Sequence, residues 1–324
     1  MSIGQNRYRV GALARVKGET RFGADLGKTG DLHLACVRVQ QAPSRLIGVD
    51  SIRAMALPGV VRVFTAEDVP GAHRLGIIPI TKDQEFLARD IVRHAGQAVA
   101  LVAAETGESA LAGALAVKVS LEPLPGVFDP EEALSEDAPL VHPDHSTSNL
   151  LTERVVSRGD AEAALADSAV VVEAEYSTGV LEHAALEPEG GRAEYRDGRV
   201  IVWACTQNPH YDREDLALFL GVEVERIRVV QAETGGGFGG KLDLSVQPFL
   251  ALAAWHLHRP VRMCFTREES FIATAKRHPF RMRFITGADD RGRLTAVRAD
   301  MLSDTGAFAS YGSAVNARAA VHAT

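Results

Sequence analysis

The segment Glu233-Thr-Gly-Gly-Gly-Phe-Gly-Gly-Lys-Leu-Asp243 sets five glycines within six positions around one phenylalanine and runs straight into a lysine. A strand-like run, residues 227–230, precedes it, and an apolar helical stretch, residues 248–257, follows. Gly235-x-Gly237-x-x-Gly240 spells the dinucleotide fingerprint, which wants a helix starting inside the motif and an acid about 20 residues further on. Here the helix begins only after Lys241-Leu-Asp-Leu-Ser245, and the surrounding strands read as antiparallel hairpins. Gly235-x-x-x-x-Gly240-Lys241 spells a Walker-like string, but Leu242 stands where the magnesium-binding hydroxyl belongs. A tight turn that uses glycine only for positive φ and close packing is a further reading. The chemistry goes beyond it: backbone stripped of side chains on both flanks of one aromatic offers several N–H donors to an anion or a metal-oxo group.

Immediately upstream, Cys205-Thr-Gln-Asn-Pro209 follows the strand 200–204 and precedes the helix 212–220, which Gly221 terminates. Gln207 carries two donors and an acceptor on this short loop, and Asn208 ahead of Pro209 reads as a helix cap. Arg196-Asp-Gly-Arg199 is a hairpin turn. Residues 160–165 form a capped helix, 169–176 a strand, and 261–265 and 280–284 alternate as strands; Asp289-Asp-Arg-Gly292 turns the chain back. Toward the N-terminus, strands at 32–39, 58–64 and 94–103 alternate with helical stretches at 51–57 and 109–117, so this part is mixed α+β. Residues 125–149 are acidic, bear prolines and lack periodicity, as a connector does. Within it, His142-Pro-Asp-His145 has the residue types of a metal site, yet in such a connector its histidines read as solvated. Val321-His-Ala-Thr324 carries no stop signal, so the chain reads as ending in mid-domain.

With 46% apolar and 24% charged residues among 324, the chain has the makings of two packed domains. A net charge of −7 without long like-charge blocks argues against nucleic acid. No apolar run approaches the roughly 20 residues that span a bilayer, and the polar start lacks a signal core, so a cytoplasmic protein without a membrane partner is expected. Cys36, Cys205 and Cys264 are too scattered for a disulfide framework, a zinc site or an iron–sulfur site.

In their order along the chain, these pieces resemble the molybdenum-binding subunit of the xanthine dehydrogenase and aldehyde oxidase family, the molybdenum hydroxylases. Leu57-Pro-Gly-Val-Val61, Thr65-Ala-Glu-Asp-Val-Pro-Gly71, His94-Ala-Gly-Gln-Ala-Val-Ala-Leu-Val102 and Leu121-Glu-Pro-Leu-Pro125 are similar to its α/β hammerhead domain. Leu181-Glu-His-Ala-Ala-Leu-Glu-Pro188, Thr206-Gln-Asn208, Gly235-Gly-Gly-Phe-Gly-Gly-Lys241, Thr266-Arg-Glu-Glu-Ser270 and Arg277-His-Pro-Phe280 are similar to the first part of its molybdopterin-binding region. The resemblance implies an α+β fold: a hammerhead domain at 15–125, an acidic connector at 126–148 and a first molybdopterin-binding domain at 149–324.

It also implies a cofactor, a molybdenum pyranopterin in its plain or cytosine dinucleotide form. Gly236, Gly237, Phe238 and Gly239 would bring main-chain amides against it, with Phe238 next to the metal through its own amide, and Gln207 would bond an oxygen on molybdenum. Purine-oxidising members carry a glutamate where this chain has Leu242, which argues against ordinary xanthine recognition. An arginine that stabilises substrate charge corresponds to Arg318, and it suits an anionic or electron-poor heteroaromatic substrate better than a plain aldehyde. His183 reads as a satisfied core histidine, and Glu268 and Glu269 as charges at a helix start.

The activity implied is hydroxylation of an N-heteroaromatic or aldehyde carbon with water as oxygen source. The family's catalytic base lies downstream of anything in these residues, and its [2Fe-2S] clusters and FAD would sit on an iron–sulfur subunit and an FAD subunit. A second molybdenum-binding chain would supply the rest of a split site; a truncated product is the other explanation, and in both cases the chain alone is expected to be inactive. The competing classes are a non-catalytic remnant or assembly-type binding protein that keeps the hammerhead fold, and a nucleotide-dependent dehydrogenase using the glycine run.

Overall fold

The computed structural model describes residues 3–323. A seven-stranded sheet organises them, in the spatial order Ile227–Gln231, Arg199–Ala204, Gly190–Arg196, Val261–Cys264, Leu32–Arg38, Ala98–Ala104, Val60–Phe64. Three of these strands precede the acidic stretch and four follow it. The seam between the two sets is parallel, Leu32 opposite Val261 and His33 opposite Arg262. Ala98–Ala104 is buried at every position because two apolar clusters cover its two faces. Leu101 and Ala103 belong to the cluster around Leu32, Phe64 and Leu250, and Val99, Ala100 and Val102 to the one around Val37, Val92 and Ala114. That is why its sequence is continuously apolar rather than alternating.

Three helices cover the sheet. Gly107–Ala116 starts where the Thr106 hydroxyl accepts from the Ser109 N–H at 3.1 Å. Pro209–Leu220 ends on Gly221 at φ 62°, a left-handed cap that glycine adopts without strain. Gln247–Leu257 is buried from Gln247 through Ala254, and its alanines and leucines fill the centre of the larger core. The expected helix at 51–57 is a single turn, Ile52–Met55, since Pro58 holds Leu57 out of the helical region.

Two smaller antiparallel sheets flank this body: Val170–Thr178, Phe280–Ala288 and Leu294–Ser303 in one, Ser44–Asp50, Ile91–Val92 and Lys118–Pro123 in the other. Asp160 caps Ala161–Ala166 through the Ala163 N–H. A last helix, Gly312–His322, occupies the alanine-rich segment where the sequence offered no stop signal; Thr324 lies outside the described residues. No helix among the described residues is long and apolar enough to cross a membrane.

Two expectations are corrected here. The strand before the glycine run is not part of an antiparallel hairpin: Ile227–Gln231 lies parallel to Arg199–Ala204, because the intervening Pro209–Leu220 helix is long enough to carry the chain back for a crossover. Of the two connector histidines, His145 is exposed as expected but His142 is not simply solvated. His142 is packed under Phe308, with Nε2 at 2.8 Å from the Ala307 carbonyl, and burial, reinforced by Arg93, lowers its pKa to about 4.

Candidate cofactor site

Parallel pairing decides what meets what. Arg199–Ala204 and Ile227–Gln231 end side by side, Ala204 opposite Gln231, so the loops that leave their carboxyl ends are neighbours. This is the edge of a sheet where ligands of open α/β structures bind. The Gln207 N–H donates to the Lys241 carbonyl at 2.9 Å, and Gln207 Oε1 accepts from the N–H groups of Gly239 at 3.1 Å and Lys241 at 3.3 Å. That leaves the Gln207 amide NH₂ with no acceptor among the described residues. A Cβ at position 237 would stand 2.5 Å from Gln207 Oε1, so only glycine lets the side chain lie along the loop.

Phe238 sits at φ 52° with 75% of its surface exposed. The N–H groups of Gly236, Gly237 and Phe238 have no acceptor among the described residues, although Gly237 is buried. Three successive free donors on a bare backbone make an anion-accepting concavity.

Lys241 is the residue that a phosphate-loop reading needs most, and it is turned inward. Its side chain is 1% exposed and its Nζ donates to both the Glu187 carbonyl and Glu187 Oε2 at 2.8 Å. Glu187 is closed by two further donors, Gly23 N–H at 2.9 Å on Oε1 and Gly235 N–H at 2.7 Å on Oε2. Such an ammonium cannot reach a phosphate, so the Walker-like string is excluded. The lysine instead braces the loop against residues 187 and 23. Glu187 lay inside a string noted in the sequence, but nothing local marked it as the anchor.

Beneath the same loop lies a carboxylate cluster that sequence reading missed altogether. Asp212 is 1% exposed; its Oδ2 accepts from Gln247 Nε2 at 3.1 Å and its Oδ1 has no partner. Burial pushes its pKa up to about 7, with Thr206 and Gln247 opposing and Asp215 and Asp243 adding to the shift. Asp215 pairs with Lys82, and Asp243 Oδ2 accepts from the Ser310 hydroxyl at 2.6 Å. Between them is a cavity of about 10 Å³ lined also by Ile77, Tyr211 and Leu242, on the scale of one water molecule.

Of the residues singled out from sequence, Gln207, Gly236, Gly237, Phe238, Gly239 and Leu242 converge. Asn208 precedes its helix but caps nothing with its side chain; its Nδ2 donates instead to the Leu242 carbonyl at 3.3 Å and to Tyr311 Oη at 3.0 Å. Arg318 is exposed on the helix Gly312–His322, and its positive charge is felt at Tyr311, where burial is the larger influence and raises the phenol pKa. His183 is not satisfied. Its Nδ1 is buried without a partner and presses on Gly240, where a Cβ would come within 2.7 Å of it. Glu269 behaves as expected, closing a capping box with Thr266, and it also pairs with Arg38 at 3.1 Å. The three thiols are free; burial pushes Cys36 up to about 12 and Cys205 to about 11, which keeps them protonated.

Known proteins are similar to this chain in sequence and fold. Residues 17–125 match the family description "Aldehyde oxidase and xanthine dehydrogenase, a/b hammerhead domain", and residues 141–324 match "Molybdopterin cofactor-binding domain". The nicotinate dehydrogenase large molybdopterin subunit of Eubacterium barkeri is 42% identical over 99% of this chain and 74% of its own length. A probable xanthine dehydrogenase subunit of Bacillus subtilis is 38% identical, with 96% of this chain covering 41% of that protein. Among solved structures, the aldehyde oxidoreductase of Desulfovibrio gigas superposes with a TM-score of 0.91 at 31% identity, over 96% of this chain and 35% of that one. The chain thus spans less than half of two of these three proteins. Its hammerhead region, its molybdopterin-binding region and the loops that meet at their shared sheet place it in the aldehyde oxidase and xanthine dehydrogenase family of molybdenum hydroxylases.

Proposed function

We propose that this chain is the cofactor-binding part of a molybdenum hydroxylase acting on an N-heteroaromatic, nicotinate-like substrate, with water as the oxygen source. The observation that carries the proposal is the row of three unpartnered N–H groups at Gly236, Gly237 and Phe238 beside the free amide of Gln207. All are donors, as the oxygen-rich face of a molybdenum pyranopterin requires. When bound, that group supplies oxygen transfer and accepts the electron pair. The chain's own part is to orient and enclose: the N–H groups of Gly236, Gly237 and Phe238 and the amide of Gln207 would hold the group, Gly239 serving to position Gln207 through its N–H, and Leu242 gives the pocket an apolar wall that cannot accept a hydrogen bond from a purine. Arg318 offers a cation to an anionic ring or to charge developing on it.

Nicotinate is favoured over purine or aldehyde by the 42% identity to a nicotinate dehydrogenase subunit, together with Leu242. In this reading residues 15–125 and 149–324 are two domains that share one sheet. The catalytic base lies outside these residues, and the [2Fe-2S] clusters and FAD sit on an iron–sulfur subunit and an FAD subunit. The deciding experiment is elemental analysis of the gently purified protein with its co-purifying partners, followed by turnover of nicotinate in ¹⁸O-labelled water. Near-stoichiometric molybdenum and one labelled oxygen in the product are expected, with molybdenum lost in the Gly237→Val and Gln207→Ala variants. Metal content unchanged by both substitutions would refute the site, and unlabelled product would refute the reaction.

A further inference from the structure

Away from the glycine loop, the connector carries a second group of donors. One ligand atom from each of His142, Asp144 and His145 falls within 4.8 Å of the other two, and the two imidazoles stand 4.7 Å apart and inclined by 59° rather than stacked. The tautomer of His142 is fixed by its surroundings. Nε2 lies 2.8 Å from the Ala307 carbonyl, which can only accept, and 3.5 Å from Asp83 Oδ2, so Nε2 carries the hydrogen and Nδ1 the lone pair. That Nδ1 is buried and has no hydrogen-bond partner, a state that costs free energy unless something occupies it. A histidine that gives its far N–H to a carbonyl or carboxylate while its near nitrogen stays bare is oriented as metal-binding histidines are.

We propose that His142 Nδ1, His145 and an Asp144 oxygen bind one divalent transition-metal ion, zinc by preference, which stiffens the connector where it packs on the body of the protein. Two imidazole nitrogens and one carboxylate oxygen, completed by water, are a four-coordinate donor set that suits zinc. Arg93 and Arg74 already pair with Asp144, but each takes one direction of a carboxylate that has about four lone-pair sites. Nor is the surrounding charge hostile: Asp83, Glu85 and Asp144 face Arg74 and Arg93, so carboxylates outnumber guanidiniums before any metal arrives. The consequence is mechanical. His142 also touches Phe308 and Ala307, and Arg93 links Asp144 to Glu85. An ion here would stiffen residues 142–145 at the point where they already meet Ala307, Phe308 and Arg93.

The test is zinc titration of the chelator-treated full chain by calorimetry, with cobalt substitution to report coordination number. One zinc per chain, a rise in Tm on binding and the absorption of four-coordinate cobalt are expected. His145→Ala, at an exposed position where truncation should leave the circular dichroism unchanged, should abolish the binding, and Asp83→Asn should weaken it by about tenfold. The assignment is overturned if the untouched chain shows no saturable zinc binding. Affinity in the His145→Ala and His142→Ala variants equal to that of the untouched chain would overturn it as well, since the ion would then be held elsewhere.

Discussion

Two buried charge clusters lie under one glycine loop, and they are finished to different degrees. Around Glu187 every carboxylate oxygen is met: Lys241 and the N–H groups of Gly23 and Gly235 surround it. Around Asp212 the accounts do not close, because Oδ1 has no partner and two more carboxylates, Asp215 and Asp243, stand near enough to disfavour its charge. The first cluster shows how a buried ion pair is retained without strain, by hydrogen-bonding all of its atoms. The second shows the alternative available to a buried acid, which is to keep its proton.

The sharpest way to break this contrast is to remove the lysine. Lys241→Met leaves Glu187 buried and uncompensated, and should cost about 3–5 kcal/mol in urea unfolding. Adding Glu187→Gln to the same chain should recover most of that. A single substitution that costs under about 1 kcal/mol would show that the brace is not structural.

The second cluster predicts a pH effect of the opposite kind. With a folded pKa of about 7 against an ordinary value of 3.8, Asp212 binds a proton in the folded chain that the unfolded chain releases. Its contribution to stability is therefore complete below the ordinary value and is lost as pH rises through about 7. Asp212→Asn keeps the shape and removes the titration, so its stability relative to the parent should rise between about pH 4 and pH 7 and level off above that, by on the order of 4 kcal/mol in all. Unfolding curves that track one another across this range would place the proton elsewhere. The smallest effect belongs to an exposed pair. Arg259 and Glu105 meet through two hydrogen bonds of 2.8 and 3.0 Å across the parallel seam's end of the sheet, yet Arg259→Ala should cost less than about 1 kcal/mol because solvent screens the pair.

Much of this was legible in the sequence where the signal was local. Gly221 ended its helix, Asp160 capped another, and Arg196-Asp-Gly-Arg199 made its hairpin, each through a rule that reaches only a few residues. The donor character of the glycine run was legible for the same reason, since bare backbone exposes N–H groups whatever surrounds it. Lys241 misled because its meaning depends on Glu187, fifty-four positions away, and no local pattern tells an inward lysine from an outward one. Asp212 was hidden in a helix whose alternation of charge and leucine looks solvated until Gln247–Leu257 packs over it. The parallel pairing of Ile227–Gln231 was hidden by its neighbours, which form hairpins. His142 was read from the composition around it, although its real environment is assembled from Ala307 and Phe308.

The parallel seam between Leu32–Arg38 and Val261–Cys264 has a consequence in time. On the ribosome, Leu32 emerges long before Val261 exists to pair with it. At about 5–20 residues per second the interval is on the order of tens of seconds. For that interval the three strands of the first region present an open hydrogen-bonding edge, the kind of surface that recruits stray strands from other nascent chains. The order in which this protein is made thus sets when it is most vulnerable, and slow synthesis between the two halves of the seam would prolong the exposure.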